Sequence, residues 1–221
     1  MSIFSWSWFR CGLRPITALA SALLCTVVAA APPAPTILIV GDSISAGYGL
    51  PPDAGWTTLL QQRLAAQHYP HRVVNASISG DTTAGGRARL DALLAQDRPA
   101  ITVIELGGND GLRGGSLDAM RANLDAMVVA AQKAGSRVLL VGMQLPPNYG
   151  PAYVSRFDAT YADVAKARHV ALVPFLFEGF GDDNALFQPD RIHPVVAAQP
   201  RLLDNVWREL QPLLGAAGKT P

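Results

Sequence analysis

The chain has 221 residues, 49% hydrophobic and 16% charged, enough apolar material for one sizeable core in a single domain. Its net charge is +1 and it has no run of Lys or Arg, which excludes the basic field that nucleic-acid binding needs and favours small neutral or amphiphilic partners. Both cysteines, Cys11 and Cys25, fall within the first thirty residues, so a chain lacking that segment has no disulfide, no thiol nucleophile and no cysteine-ligated metal.

In chain order, the first segment is excluded from the fold. Arg10 and Arg14 precede the uncharged stretch from Ile16 to Ala31, which ends in small residues in the manner of a secretory signal peptide. Cleavage after Ala30 is expected, leaving residues 31–221 as one domain in the periplasm or outside the cell. The uncharged stretch is shorter than the roughly 20 residues that cross a bilayer, so no stable membrane span is expected in the mature chain.

Thr36 to Val40 is a short apolar run rich in β-branched residues and reads as a strand buried on both faces of a parallel sheet. Gly41, Asp42 and Ser43 follow directly, placing a hydroxyl at the carboxyl edge of a central strand, where sites in open α/β folds sit. Ser43 is therefore a candidate nucleophile. Asp42 and Ser43 equally suit the cap of a turn or helix.

Trp56, Leu59, Leu60 and Leu64 recur at helical spacing up to Pro70, and Arg72 to Asn75 is a brief second strand. The glycine-rich loop SISGDTTAGG leads to a helix marked by Leu90, Leu93 and Leu94, then to a third buried strand, Ile101 to Leu106. A second polar loop, GGNDGLRGG, reads as flexible. Leu117, Met120, Leu124, Met127 and Ala131 form the core stripe of a helix ended by Gly135. Arg137 to Gln144 carries the fourth strand, LPPNYGP the next loop, and Tyr153, Phe157, Tyr161 and Val164 a further helix. Val170 to Val173 is the last strand, and Pro200 to about Leu214 the last helix. Five strands alternating with helices predict a three-layer α/β/α fold with a five-stranded parallel sheet, of flavodoxin-like order 2-1-3-4-5.

A serine nucleophile needs a base and a group that fixes the tautomer of that base. Of the four histidines, His68 and His71 flank Pro70 at the amino edge and suit the surface, while His169 ends a helix after Lys166 and Arg168, where a cation suits the helix dipole. His193 remains, with Asp190 three residues earlier. Spacing alone leaves open an aspartate cap with a surface histidine. An oxyanion site needs donors aimed at the developing charge. The backbone N–H groups of Ser43 and Gly80 and the side-chain amide of Asn109 are candidates; a plain turn glycine and a left-handed turn asparagine are the alternatives.

Four blocks now stand in order: GDS with Ser43, NASISGDT with Gly80, GGND with Asn109, and DRIHP with Asp190 and His193. Together they resemble the SGNH hydrolases, also called the GDSL esterase/lipase family. The stretches NASISGDT, ELGGNDGLRG and LPPNYG are most similar to its bacterial thioesterase I, lysophospholipase and arylesterase subgroup. The resemblance covers nearly all of the chain after the leader. It implies an exported serine esterase acting on acyl esters and thioesters, with Ser43 as nucleophile, His193 as base, Asp190 as its orienter, and Ser43, Gly80 and Asn109 as oxyanion donors. It further implies that the loop from Gly108 to Gly114, with Asp110 and Leu112, moves as substrate binds, and that Leu145 and Pro146 border an acyl groove. Val195 and Val196 are more apolar than the resemblance leads one to expect, and are read as an extension of the acyl surface.

Other motifs fail. No serine lies in a GxSxG elbow, the triplet Gly218, Lys219, Thr220 lacks the rest of a P-loop, and Asp42, Asp81, Asp110, Asp182 and Asp183 are not spaced as a metal site. No cofactor, no metal and a monomer are expected. The alternatives are a carbohydrate O-deacetylase of the same fold and a non-catalytic flavodoxin-like protein binding a phosphate ligand.

Overall fold

Six residues of almost unbroken apolar character, TILIVG, form the central strand β1 (Thr36–Gly41), and every one of them is buried. The computed structural model describes residues 1–4 and 34–215, and the fold is built from residues 34–215. The cleavage point expected after Ala30 lies outside the described residues.

β1 is flanked by β2 (Arg72–Asn75) and β3 (Ile101–Glu105), and β4 (Arg137–Val141) and β5 (Ala171–Val173) complete a parallel sheet of order β2-β1-β3-β4-β5. The order is the one expected, and it turns back at β1. The loops after β1, β2 and β3 therefore leave the same edge side by side.

Side-chain alternation divides the core. Ile37, Ile39, Ile101, Val103, Leu139 and Val141 face α2 (Trp56–Ala66) and α7 (Gln199–Leu214); Leu38, Val40, Ile104 and Leu140 face α3 (Thr83–Asp97), α5 (Leu117–Lys133) and α6 (Pro151–Arg168). The helices bury the expected stripes: Trp56, Leu60 and Leu64 on α2, Met120, Leu124 and Met127 on α5, and Leu202, Val206 and Leu210 on α7. Each fully buried side chain of this size contributes about 1.5–3 kcal/mol relative to exposure. Among the described residues, no helix is long and apolar enough to cross a membrane.

The departures from expectation lie mostly at element ends. β4 stops at Val141 rather than Gln144; just past it the Gly142 N–H still donates to the Val173 carbonyl of β5, and the Gly142 carbonyl accepts from Leu176. The polar loops after β1 and β3 contain short helices, α1 (Ser43–Ala46) and α4 (Gly108–Leu112), too brief to carry an apolar period. His71 is buried rather than superficial. It lies beside Tyr69, whose ring packs on Trp207, and burial followed by the charge of Arg137 pulls its pKa down.

Candidate active site

The turn out of β1 is tight for a packing reason. A Cβ on Gly41 would lie 2.8 Å from the Glu105 carboxylate and from the Ser45 side chain, so only glycine lets the chain leave the sheet here. Asp42 then caps α1, its Oδ1 accepting from the Ile44 N–H at 3.0 Å. Capping and nucleophile placement thus coincide: Asp42 closes the helix and Ser43 becomes its first residue. The Ser43 N–H, in the first turn, has no intrahelical acceptor and is available to a ligand.

His193 arrives on the segment between β5 and α7. That segment is folded back on itself by a Phe187–Pro194 bridge and by N–H donation from Gln188 to the His193 carbonyl at 2.8 Å and from Val195 to the Leu186 carbonyl at 2.9 Å. Within it, Asp190 Oδ1 accepts from the N–H groups of Ile192 (2.9 Å) and His193 (3.1 Å), which requires a left-handed Arg191 at φ 59°. Asp190 Oδ2 lies 2.7 Å from His193 Nδ1, and His193 Nε2 lies 2.8 Å from Ser43 Oγ. With the Nδ1 proton given to Asp190, Nε2 is free to accept from the serine hydroxyl. Partial burial opposes ionisation of Asp190, but the Ile192 N–H, the His193 ring and the His193 N–H outweigh it and hold the carboxyl at about 2. Asp190 therefore both caps its turn and faces the imidazole. Tyr48 covers the other side of that ring, with centroids 4.5 Å apart and planes at 41°.

Ser43, Gly80, Asn109 and His193 line one cavity of about 300 Å³. Gly80 has φ +80°, a conformation that side-chain-bearing residues rarely adopt, and its N–H has no acceptor among the described residues. Its carbonyl is tied back by Arg113 at 3.0 Å. Asn109 is helical rather than left-handed, and its Nδ2 donates to Asp42 Oδ2 at 3.1 Å. One hydrogen of that amide remains.

Below the site, Asp42 is paired with an acid that sequence reasoning missed. Glu105, at the end of β3, is wholly buried; its Oε2 accepts from the Ser45 hydroxyl at 2.6 Å and from the Asp42 N–H at 3.4 Å. Burial, then the adjacent Asp42, push its pKa well above the usual range. Burial also raises Asp42 to about 6, against the opposing pull of the Ile44 N–H, the His193 charge and Asn109. A lone acid inside the apolar run ITVIEL was the available signal.

A larger groove, about 610 Å³, adjoins the cavity and shares Gly108, Leu112, Met143 and Ile192 with it. Leu145 and Pro146 line it, together with an aromatic cluster of Phe175, Phe177, Phe180 and Phe187 that was not foreseen. Asp110 is not brought there: its carboxylate accepts from the Thr83 N–H (2.9 Å) and hydroxyl (2.6 Å), fastening α4 to the start of α3. Neither Val195 nor Val196 lines the groove. The Val195 N–H is committed to Leu186, and Val196 is exposed on a short 3-10 turn, so the apolar pair does not extend the acyl surface.

This geometry can be set beside known proteins. The chain is 58% identical over 181 residues to esterase TesA of Pseudomonas aeruginosa, covering 82% of this chain and 90% of that protein. It is 43% identical over 181 residues to thioesterase 1/protease 1/lysophospholipase L1 of Escherichia coli K12, covering 82% and 86%. A crystal structure of TesA superposes with a TM-score of 0.79 at 58% identity, over 80% of this chain and 99% of that one. Residues 39–199 match the pattern shared by GDSL-like lipases and acylhydrolases, a span that contains all four blocks, and the chain belongs to the GDSL-like lipase/acylhydrolase family.

Proposed function

We propose that this protein is an exported, monomeric serine hydrolase that cleaves acyl esters and thioesters through an acyl-Ser43 intermediate. Its membership of an acylhydrolase family and its similarity to proteins named esterase and thioesterase 1 make it a hydrolase of carboxylic esters. The observation that carries the assignment of roles is the unbroken line Asp190 Oδ2, His193, Ser43 Oγ at 2.7 and 2.8 Å.

The acyl chain lies in the apolar groove and its carbonyl carbon meets Ser43 Oγ. As Oγ attacks, its proton passes to His193 Nε2, and the ionised Asp190 stabilises the imidazolium. Negative charge gathers on the carbonyl oxygen, which receives the N–H groups of Ser43 and Gly80 and the free hydrogen of the Asn109 amide. Each such donor contributes about 3 kcal/mol to the transition state. His193 then gives its proton to the leaving alkoxide or thiolate. In the second half, water yields a proton to Nε2 as its oxygen attacks the acyl-serine carbonyl; His193 then returns that proton to Ser43 Oγ as the acyl C–O bond breaks, and the acid departs. No step calls on a cofactor.

Two features support the finer points. The groove is lined mainly by phenylalanine, leucine, methionine and proline, with Gln144, Glu178, Asp182 and Arg191 as its polar residues; this largely apolar wall suits an acyl chain better than a sugar and favours this reading over carbohydrate deacetylation. Every group used above comes from one chain, in keeping with a working monomer. A fluorophosphonate probe should label the wild-type protein and not Ser43→Ala, and the variant should lose at least a thousandfold in kcat on p-nitrophenyl octanoate. Retention of a tenth of the activity by Ser43→Ala would remove Ser43 from the mechanism. Sedimentation of the purified chain tests the monomer.

A further inference from the structure

The steps above leave Asp42 without a chemical task. Its carboxyl is buried, 4% exposed, between the start of α1 and α4. Oδ1 is committed to the Ile44 N–H and Oδ2 to the Asn109 amide at 3.1 Å. An amide nitrogen carries two hydrogens in one plane. With one of them held by a carboxylate, the rotamer and plane of Asn109 are set, and the other hydrogen is left for the cavity lined by Ser43, Gly80 and His193.

We propose that Asp42 is the positioning residue of the oxyanion site, its carboxylate holding the Asn109 amide so that the second N–H meets the substrate carbonyl oxygen. The inference rests on the serine-hydrolase reading above and adds to it a group that never touches substrate.

The surroundings disfavour a second negative charge at this point. Glu105, from β3, lies close enough to share a site with Asp42, and burial pushes its pKa well above the usual carboxylate range; among the described residues its Oε1 has no partner, and its Oε2 is occupied by Ser45 and the Asp42 N–H. The other groups facing the pair are His193 before α7, Asp81 and Arg89 around the start of α3, and Tyr161 on α6, whose hydroxyl donates to the Leu106 carbonyl at 3.1 Å. Arg89 is spent on Asp81 at 2.9 Å and on backbone carbonyls, including Gly41. A charged acceptor binds an amide about twice as strongly as a neutral one. Since burial raises the Asp42 carboxyl to about 6, protonation below that pH weakens the hold on Asn109.

A double-mutant cycle on a soluble p-nitrophenyl ester tests the assignment. Asn109→Ala should lower kcat by on the order of 10²–10³. Asp42→Ala should lower kcat at least tenfold with KM within about twofold, and Asp42→Ala/Asn109→Ala should fall no more than about threefold below Asn109→Ala, because both act through one donor. The charge-free Asp42→Asn should recover only a small part of the kcat lost in Asp42→Ala, since protonating Asp42 removes the same charge. The acid limb of kcat should drop with a two-proton slope in the wild type and a one-proton slope in Asp42→Asn and Asn109→Ala alike. Losses that multiply in the double variant, or a two-proton limb that persists in Asn109→Ala, overturn the proposal; the pH comparison decides alone if Asp42→Ala does not fold. Fluorophosphonate labelling separates the two levels. Absence of labelling in the wild type removes the hydrolase reading, whereas labelling at Ser43 with multiplicative losses removes only the role of Asp42.

Discussion

Asp42 carries a stability cost that its position explains. A carboxyl whose pKa is raised to about 6 in the fold, against roughly 4 in the unfolded chain, holds its proton longer when native. The stabilisation from that protonated state is complete below about pH 4 and is lost as pH rises through 6, a loss of about 3 kcal/mol by pH 8. An asparagine in its place would not titrate, and asparagine caps helices as well as aspartate does. Asp42→Asn should therefore gain stability relative to the wild type as pH rises from 4.5 to 8, which urea unfolding at several pH values measures. A difference that stays flat with pH would mean that Asp42 is not held against its ionisation. Glu105 follows the same logic from a deeper position. Ser43, Gly80 and Asn109 were legible in the sequence because each stands in a polar break after an apolar run, and His193 with Asp190 because the other three histidines had other readings. Glu105 and Tyr48 were not. One acid inside a strand, or one aromatic in a glycine-rich turn, acquires meaning only when the chain folds the turn over the imidazole or the strand under Asp42.

Elements show a similar division. The long helices and all five strands announce themselves by period, whereas α1 and α4 span four and five residues and cannot. α4 is the more consequential of the two. It is entered through Gly107 at φ +118°, carries Gly108 and Asn109 in its first turn, and ends with Leu112, which lines both the Ser43 cavity and the larger groove beside it. Asp110 anchors it to Thr83, while Tyr149 and Tyr153 donate to the carbonyls of Leu112 and Gly115, each at 2.8 Å. Those bonds tie to its neighbours the segment read from sequence as a flexible loop. On the proposed reading, Leu112 stands between carbonyl and chain. Leu112→Trp should fill the groove entrance and lower kcat/KM for octanoyl esters at least tenfold while changing that for acetyl esters less than threefold. Equal losses on both would place Leu112 outside the acyl path.

At the scale of the molecule, the sheet divides labour between its two faces and its edge. One hydrophobic cluster joins β1, β3 and β4 to α2 and α7, the other joins them to α3, α5 and α6, and the catalytic groups stand only where the strands end. Both clusters and every site residue named above belong to residues 34–215. A chain beginning at Ala31 should therefore match the full-length chain in kcat/KM on a soluble ester within about twofold, and should unfold in urea in one transition common to activity and far-UV signal. The same start point is the one expected from export, so N-terminal sequencing of protein recovered from the periplasm or medium checks the proposal independently. A full-length chain in that fraction would contradict cleavage. A truncated chain that folds poorly would mean that residues before 31 belong to the core, and that the two clusters do not suffice to hold the sheet.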